Sequence, residues 1–430
     1  MVNALLLEFR VRNYRSFRND TVLSLVAASD RSLERTNTVG TGIPYLPRAV
    51  RGAVVYGANA SGKSNLIRAL QVMRGIVLES ASVQHNQTFN VQPFRLDEDS
   101  ATQPTLFEVT IMLDGVRYQY GFEFTSTRIR AEWLLVYQKA KPQKWFDRRA
   151  SETGGKDRYE FGSHLVGPKR IWHDATRDNA LFLSTAVQLN SEALAPLYRW
   201  FAEDLVVFPD GGEMPFEFST SMLQTPGAGA RIAAMLRAAD LAITSISAEP
   251  RKGVRHSFKL QPGQGPTDVT VEEKDVLLPK FKHTVGGVSA EFDLLEESQG
   301  TQKVYSLAGP LFDVLEKGRV VVIDELDRSL HPLLVRQVIE TFQDPELNPH
   351  GAQLIFTTHD TAQLDNTLFR RDQIWLTEKP RASQVSELVP LTEFSPRKGE
   401  ALERNYLGGR YGGVPILASR LVDGSPSAEK

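Results

Sequence analysis

The sequence has no cysteine. That absence removes disulfides, thiolate nucleophiles and Cys-ligated zinc from its chemistry and fits a reducing compartment. Long apolar runs are missing as well: stretches such as Ala4–Leu7 and Val320–Ile323 fall far short of the roughly 18 residues that a membrane span needs. No charged-then-apolar leader opens the chain, so a cytoplasmic protein without membrane contact is expected. Neither sign of charge dominates, with 50 Lys and Arg against 52 Asp and Glu for a net charge of −2. Nucleic-acid contact would therefore have to rest on a local patch rather than on overall charge. What remains is average globular usage, with 41% hydrophobic and 24% charged residues in 430. At about 150 residues per domain this length predicts two or three structural units.

The order of predicted elements is that of an α/β protein. Leu5–Val11, Thr21–Val26 and Ala53–Tyr56 favour strands, and the last ends at a glycine. After the turn Gly57–Ser64, apolar residues from Asn65 to Leu78 recur at helical spacing. Thr105–Leu113 and Val116–Phe124 form a predicted hairpin around Asp114-Gly115, a pair suited to positive φ, and Arg128–Gln138 adds a strand. Lys139–Arg170 is polar and basic without a clear period, which predicts a boundary or insertion. Helical spacing returns at Trp172–Phe201 and Ala230–Ile243, and Pro250–Gly265 reads as a hairpin or loop. From Gln299 a helix, the strand Arg319–Ile323, a helix after Pro332 and the strand Ala352–Thr357 alternate. The expected division is 1–140, a helical or mixed lid at 141–295, and 296–430, with the polar end from Gly424 frayed.

Gly57-Ala58-Asn59-Ala60-Ser61-Gly62-Lys63-Ser64 satisfies the phosphate-loop pattern and stands between an apolar strand and an amphipathic helix, the context this pattern requires. Glycine lets the backbone curl so that successive N–H groups face phosphate oxygens. The helix N-terminus adds partial positive charge, and Lys63 supplies a full one near the β and γ phosphates. Ser64 is the expected Mg²⁺ ligand. Gly57, Asn59, Ala60, Ser61, Gly62, Lys63, Ser64 and Asn65 form the predicted nucleotide-binding set. A second signal is Val320–Ile323 followed by Asp324-Glu325. A buried strand ending in two carboxylates is costly unless a cation or a water-activating task awaits them. Asp324 is the expected Mg²⁺ ligand, and Glu325 the base that orients and deprotonates the attacking water.

Other features follow in a fixed order: Gln92 before Pro93-Phe94, Glu297-Ser298-Gln299-Gly300-Thr301 before a helix, Asp327 after the acidic strand, and His359 after Ile355–Thr358. This order resembles the ATP-binding-cassette superfamily, in particular the heads of the structural-maintenance-of-chromosomes, RecF and OLD-type proteins. The opening Phe9–Phe17 is similar to that group's first strand and turn. Asn405–Pro415 is similar to the closing motif of stand-alone bacterial ATPases related to the RloA and AbiL-type abortive-infection proteins. The resemblance implies a P-loop NTPase fold with an antiparallel N-terminal β subdomain, and ATP with Mg²⁺ held between two heads. Ser298 and Gly300 of one copy would reach the γ phosphate bound by Lys63 of the other. Gln92 would couple the metal and the water to the lid, Asp327 would face the partner head, and His359 would sense the γ phosphate. Gln299 departs from the glycine of transporter signatures, which argues against a transporter.

By the same resemblance the chain would form a homodimer or higher oligomer and control a separately encoded effector, a nuclease or toxin, in antiphage defence. A RecF-like DNA-repair clamp and a nucleotide-gated scaffold with little turnover are the alternatives. The roughly 70 residues after His359 are short for a further domain, and Arg371–Glu378 lacks an acidic metal cluster, so no OLD-type nuclease is expected. Nucleic acid remains a candidate partner through Lys139, Lys141, Lys144, Arg148, Arg149, Lys156, Arg158, Lys169 and Arg170, interleaved with Trp133, Tyr137, Trp145, Tyr159 and Trp172. Acidic residues within the same stretch make a solvated face over an aromatic core the competing reading.

Overall fold

The structure is a computed structural model that describes residues 4–85, 87–152, 155–209, 211, 214–239, 242–259, 267–397 and 399–415. The centre of the expected hairpin at Pro250–Gly265 and the polar end from Gly424 lie outside the described residues. The chain divides into two compact units, one of Met1–Gly212, Val314–Arg328 and Val335–Lys430, the other of Glu213–Asp313 and Ser329–Leu334.

In the first unit, Ala4–Arg12 (β1) and Thr21–Ser24 (β2) open the chain, Thr38–Ile43 (β3) and Leu46–Val50 (β4) form a ribbon, and Gly52–Gly57 (β5) leads into the phosphate loop. Thr105–Leu113 (β6), Val116–Phe124 (β7), Ile129–Tyr137 (β8), Gln143–Arg149 (β9) and Arg158–Phe161 (β10) follow. They make a seven-stranded antiparallel sheet in the order β10-β9-β8-β7-β6-β1-β2. Leu205–Phe208 (β11) also belongs to this unit. The second unit holds Ile243–Lys259 (β12), Thr267–Val285 (β13) and Val288–Asp293 (β14), joined as a three-stranded antiparallel sheet. Val320–Ile323 (β15), Gln353–Thr357 (β16), Ile374–Glu378 (β17) and Glu387–Pro390 (β18) complete the first unit. Its second sheet has the order β11-β15-β16-β5-β17-β18, parallel except for the last pair.

The parallel strands explain their own composition. Every residue of β5, β15 and β16 is buried, as strands covered on both faces require, so they read as continuous apolar runs. The helix Lys63–Glu79 sends Leu66, Leu70, Met73 and Val77 into one core with Phe9, Phe107 and Phe122 of the antiparallel sheet and Val55 and Val322 of the parallel one.

A single buried amide ties the two sheets. β1 shifts register between Leu6 and Glu8, and β2 pairs only with Glu8–Val11, so the outer backbone edge of Leu6 has no strand partner. Gln353 on β16 supplies one. Its Oε1 accepts the Leu6 N–H at 2.7 Å, and its Nε2 donates to Leu6 O at 3.1 Å and Val50 O at 2.9 Å. The side chain is fully buried, so each lost bond leaves a polar group without water to replace it.

The boundary expected near residue 141 is not there. β9 and β10 continue the antiparallel sheet of the N-terminal segment. Their alternation is masked because the outward positions carry paired charges, Lys144 with Glu160 at 2.9 Å and Arg149 with Asp147 at 2.8 Å. Arg148 points inward, almost wholly buried, and bonds Asp157 and the carbonyls of Ala180 and Arg177. The basic stretch is therefore not a continuous cationic face, and Trp145 and Trp172 are core residues. The segment 141–295, expected as one helical or mixed lid, is divided between the two units. Helices Lys169–Ala175, Phe182–Gln188 and Ala195–Arg199 belong to the first unit, whereas the second carries three strands beside Ala228–Ala238.

The second unit's core gathers Ile232, Leu236, Ile243, Phe281, Leu294 and Tyr305. The helix Gln299–Lys317, which passes from the second unit into the first, contains Pro310, whose ring removes a backbone donor. Ser219 compensates by accepting the Gly309 N–H at 3.0 Å and lying within bonding distance of the Tyr305 and Ser306 carbonyls.

Replacing Gln353 with leucine should lower the unfolding free energy by about 2–4 kcal/mol, since it strands buried backbone groups at Leu6 and Val50. Equilibrium urea denaturation reads this directly, and a change under about 0.5 kcal/mol would refute the bridging role.

Candidate active site

The candidate residues of the first unit meet at the C-terminal ends of parallel strands, where loops of an open α/β sheet converge. β5 delivers the phosphate loop, β15 delivers Asp324 and Glu325, and β16, which pairs with both, delivers His359.

The loop's backbone is tightly enclosed. A Cβ at Gly57 would lie 2.2 Å from Thr377 Oγ1, and one at Gly62, whose φ is +120°, would lie 2.5 Å from Ser386 Oγ. Glycine is therefore required at both positions. Ser386 Oγ donates to Ser61 O at 2.5 Å, and Ser61 Oγ shares a 2.6 Å bond with Thr377 Oγ1. Ala60 adopts φ 60°. Asn59 and Ala60 are exposed at the loop tip, while Ser64 and Asn65 are half-buried in the first helical turn. Lys63 begins the helix and is buried, with Nζ donating to Gly57 O at 2.7 Å and Ala58 O at 3.2 Å. Burial pushes its ammonium down to about 8, against the opposing pull of Asp324, Glu325 and Asp327.

Asp324 is buried, and its Oδ1 accepts the Thr357 hydroxyl at 2.7 Å. The same hydroxyl accepts the Glu325 N–H at 2.7 Å. Glu325 has φ 51°, a conformation that a non-glycine residue adopts at a cost of about 1–2 kcal/mol. Asp327 Oδ2 accepts the His359 backbone N–H at 3.2 Å, while its buried Oδ1 has no hydrogen-bond partner among the described residues. Partial burial, and then the nearby Lys63 ammonium, hold the His359 imidazole below its ordinary value despite the three carboxylates around it.

Gln92 reaches this neighbourhood through the turn that follows β1. Its carbonyl accepts the Arg15 N–H at 2.7 Å, and Ser16 Oγ accepts from Asn65 Nδ2 at 2.8 Å in the first turn of the loop's helix. Asn13 and Arg15 both have positive φ. Asn13 is buried, accepting the Phe94 N–H at 3.0 Å and donating to Ser100 O at 2.8 Å.

Ser298 and Gly300 lie in the second unit. Ser298 is exposed and caps the helix Gln299–Lys317, its Oγ accepting the Thr301 N–H at 3.1 Å. The preceding Glu297 bonds His283 Nε2 at 2.7 Å. His331 acts as a local cap, its Nδ1 accepting the Leu333 N–H at 3.2 Å.

The closing motif packs behind the phosphate loop. The Tyr406 ring centroid lies 5.8 Å from that of Tyr56, Tyr406 donates to Gly413 O at 3.0 Å, and a Cβ on Gly413 would sit 3.7 Å from Gly57 Cα. Sequence reading overlooked Thr357, Thr377 and Ser386. Thr357 and Thr377 each offered a weak signal, a hydroxyl following three apolar residues of a strand, and Thr357 stands two residues before His359.

The residues fit a magnesium-bound triphosphate in three respects. Gly57 and Gly62 leave a backbone cradle that side chains would fill, Lys63 buries a cation at its mouth, and Asp324 with Ser64 offers hard oxygen donors. The profile of the family described as "AAA domain, putative AbiEii toxin, Type IV TA system" matches residues 53–365. No curated protein matches the chain. Among solved structures, the SMC head domain from Thermotoga maritima is 14% identical, covering 90% of this chain and 98% of its own at a TM-score of 0.36. An Smc head bound to the C-winged helix domain of ScpA is 11% identical, with coverages of 89% and 96% and a TM-score of 0.40. The Smc head with an extended coiled coil, bound to the C-terminal domain of ScpA derived from Pyrococcus furiosus, is 12% identical, with coverages of 91% and 97% and a TM-score of 0.42. The family match takes in the phosphate loop, the acidic strand end and His359, and the chain thus belongs to this AAA family, as an ATPase with a P-loop α/β fold.

Proposed function

We propose that this chain binds ATP with Mg²⁺ at Gly57–Asn65 and hydrolyses it, and that the cycle controls a separately encoded effector in antiphage defence. The observation that carries the first part is the convergence of Lys63, Asp324, Glu325, Asp327 and His359 on neighbouring parallel strand ends. Lys63 and the loop N–H groups bind phosphate oxygens, while Ser64, Asp324 and Gln92 hold the metal. When bound, Mg²⁺ neutralises charge on the β and γ phosphates. Glu325 orients the attacking water and takes its proton. His359, whose proton affinity is lowered by partial burial and by the Lys63 ammonium, contacts the γ phosphate. Asp327 faces the partner head, and a second copy supplies Ser298 and Gly300. That pairing makes hydrolysis a reporter of assembly and gives a homodimer, or a multiple of it, as the working state.

The family description supports the defence reading. It also favours a second one, in which this chain is itself the toxin of a toxin–antitoxin pair. Induction of the chain alone in a bacterial host separates the two: growth arrest without its genomic neighbour identifies a toxin, and arrest only with the neighbour identifies an effector's controller.

Lys63→Ala should weaken ATP binding at least about tenfold, because the lost ammonium forms charge-assisted bonds. Glu325→Gln should bind ATP as tightly as the wild type while kcat falls about 100-fold or more. It should also sediment as a dimer in saturating ATP and Mg²⁺; hydrolysis at the wild-type rate would refute the base assignment, and a monomer would refute the shared site.

The pH dependence has a definite sign. The free chain's Lys63 loses its proton as pH rises through about 8, and phosphate binding favours the protonated form, so ATP affinity should fall from pH 7 to 9.5. Calorimetric titration checks this, and a flat profile would mean that the free chain's Lys63 keeps its proton across that range.

A further inference from the structure

We infer that Thr357 is a positioning residue for ATP hydrolysis, its hydroxyl deciding which oxygen of Asp324 is free and fixing the backbone on which Glu325 stands. The inference rests on the assignment of Asp324 and Glu325 proposed above.

Thr357 is fully buried at the end of β16. A hydroxyl carries one hydrogen, and here it has a single use: it points to Asp324 Oδ1 at 2.7 Å. One lone pair is engaged by the Glu325 N–H at 2.7 Å. The carbonyl of the same residue accepts the Leu326 N–H at 3.1 Å. Three consecutive residues of the acidic turn are therefore stapled to one residue of the neighbouring strand. The staple spans the position where Glu325 holds φ 51°, a conformation that persists only where the surroundings over-determine it.

Two consequences follow for the chemistry. Engagement of Oδ1 directs metal binding to the other oxygen of Asp324 and keeps the carboxylate from rotating. The bond to the Glu325 N–H fixes the direction in which that side chain leaves the turn, and with it the line along which water is activated. Valine has the β-branched shape of threonine, so Thr357→Val would keep the outline that packs in β16 while removing these two bonds and leaving their partners unpaired. Both groups left behind, the Glu325 N–H and Asp324 Oδ1, belong to the acidic turn and not to the phosphate loop. The loop is held by Thr377 and Ser386. The loss should thus appear in turnover and in metal dependence, and not in nucleotide affinity.

The test uses the full chain carrying Thr357→Val, Thr357→Ser or Gln353→Leu, assayed at one temperature well below all unfolding midpoints. Gln353 lies on the same strand away from the site, so its variant reports what destabilisation of β16 alone does. For Thr357→Val we expect an ATP Kd within about threefold of wild type, a kcat about 10–100-fold lower and a raised half-saturating Mg²⁺ concentration. Thr357→Ser should stay within about threefold of wild type in all three, and Gln353→Leu should keep kcat. Should the valine chain fail to fold, Thr357→Ala is read the same way, since it too deletes the hydroxyl. Wild-type kcat and Mg²⁺ dependence in the valine or alanine variant, with Glu325→Gln inactive, would overturn the role of Thr357 alone. A serine variant as impaired as the valine one would also overturn it. An active Glu325→Gln chain would instead bring down the site assignment from which the inference starts.

Discussion

The position of β16 between β5 and β15 is the constraint on which the site depends. Parallel pairing on both sides of one strand places three strand ends together. Each end carries a different function: a buried cation from β5, carboxylates from β15, and a hydroxyl and an imidazole from β16. The ammonium of Lys63 and the carboxylates of Asp324 and Glu325 would each be costly to hold there alone. Together they leave Lys63 with opposing influences, burial lowering its proton affinity and the carboxylates raising it. A site balanced in this way responds to an added polyanion and its cation, because both change the same set of charges.

Support for that arrangement comes from polar side chains that do work usually left to backbone. Gln353 stands in for a missing strand beside Leu6, and Arg370, fully buried, donates to the carbonyls of Asp30 and Ala28 while pairing with Asp372 at 2.6 Å. Glu132 accepts from Phe182 and Leu183 N–H groups, capping the helix Phe182–Gln188 from a neighbouring strand. In each case a long side chain joins elements distant in sequence, so the antiparallel and parallel sheets and their loops behave as one framework under the site.

Much of this was legible in the sequence because it is local. The glycine pattern around Lys63, the apolar run into Asp324-Glu325 and the Asp114-Gly115 turn each carry their reason within a few residues, and each element stands where expected. What was not legible depends on pairing between distant segments. β9 and β10 looked like an insertion because their outward residues are charged, paired across the strands as Lys144 with Glu160 and along them as Arg158 with Glu160 and Arg149 with Asp147. Of the second unit's long strands only the stretch Pro250–Gly265 read as a hairpin or loop, since the strands' partners are each other and their extent has no local mark. The tie of Ser386 to Ser61 spans the whole ATPase region and leaves no pattern in either segment. Thr357 was visible as a letter and invisible as a contact.

The account's central claim is that a triphosphate and a divalent metal are held by this chain's own strand ends. A crystal structure of the Glu325→Gln chain grown with ATP and Mg²⁺ tests it most directly. The account predicts phosphate density along Gly57–Ser64 against Lys63 Nζ, with the metal on Ser64 and Asp324. Nucleotide bound elsewhere, or a metal carried by other residues while Asp324 remains free, would contradict it.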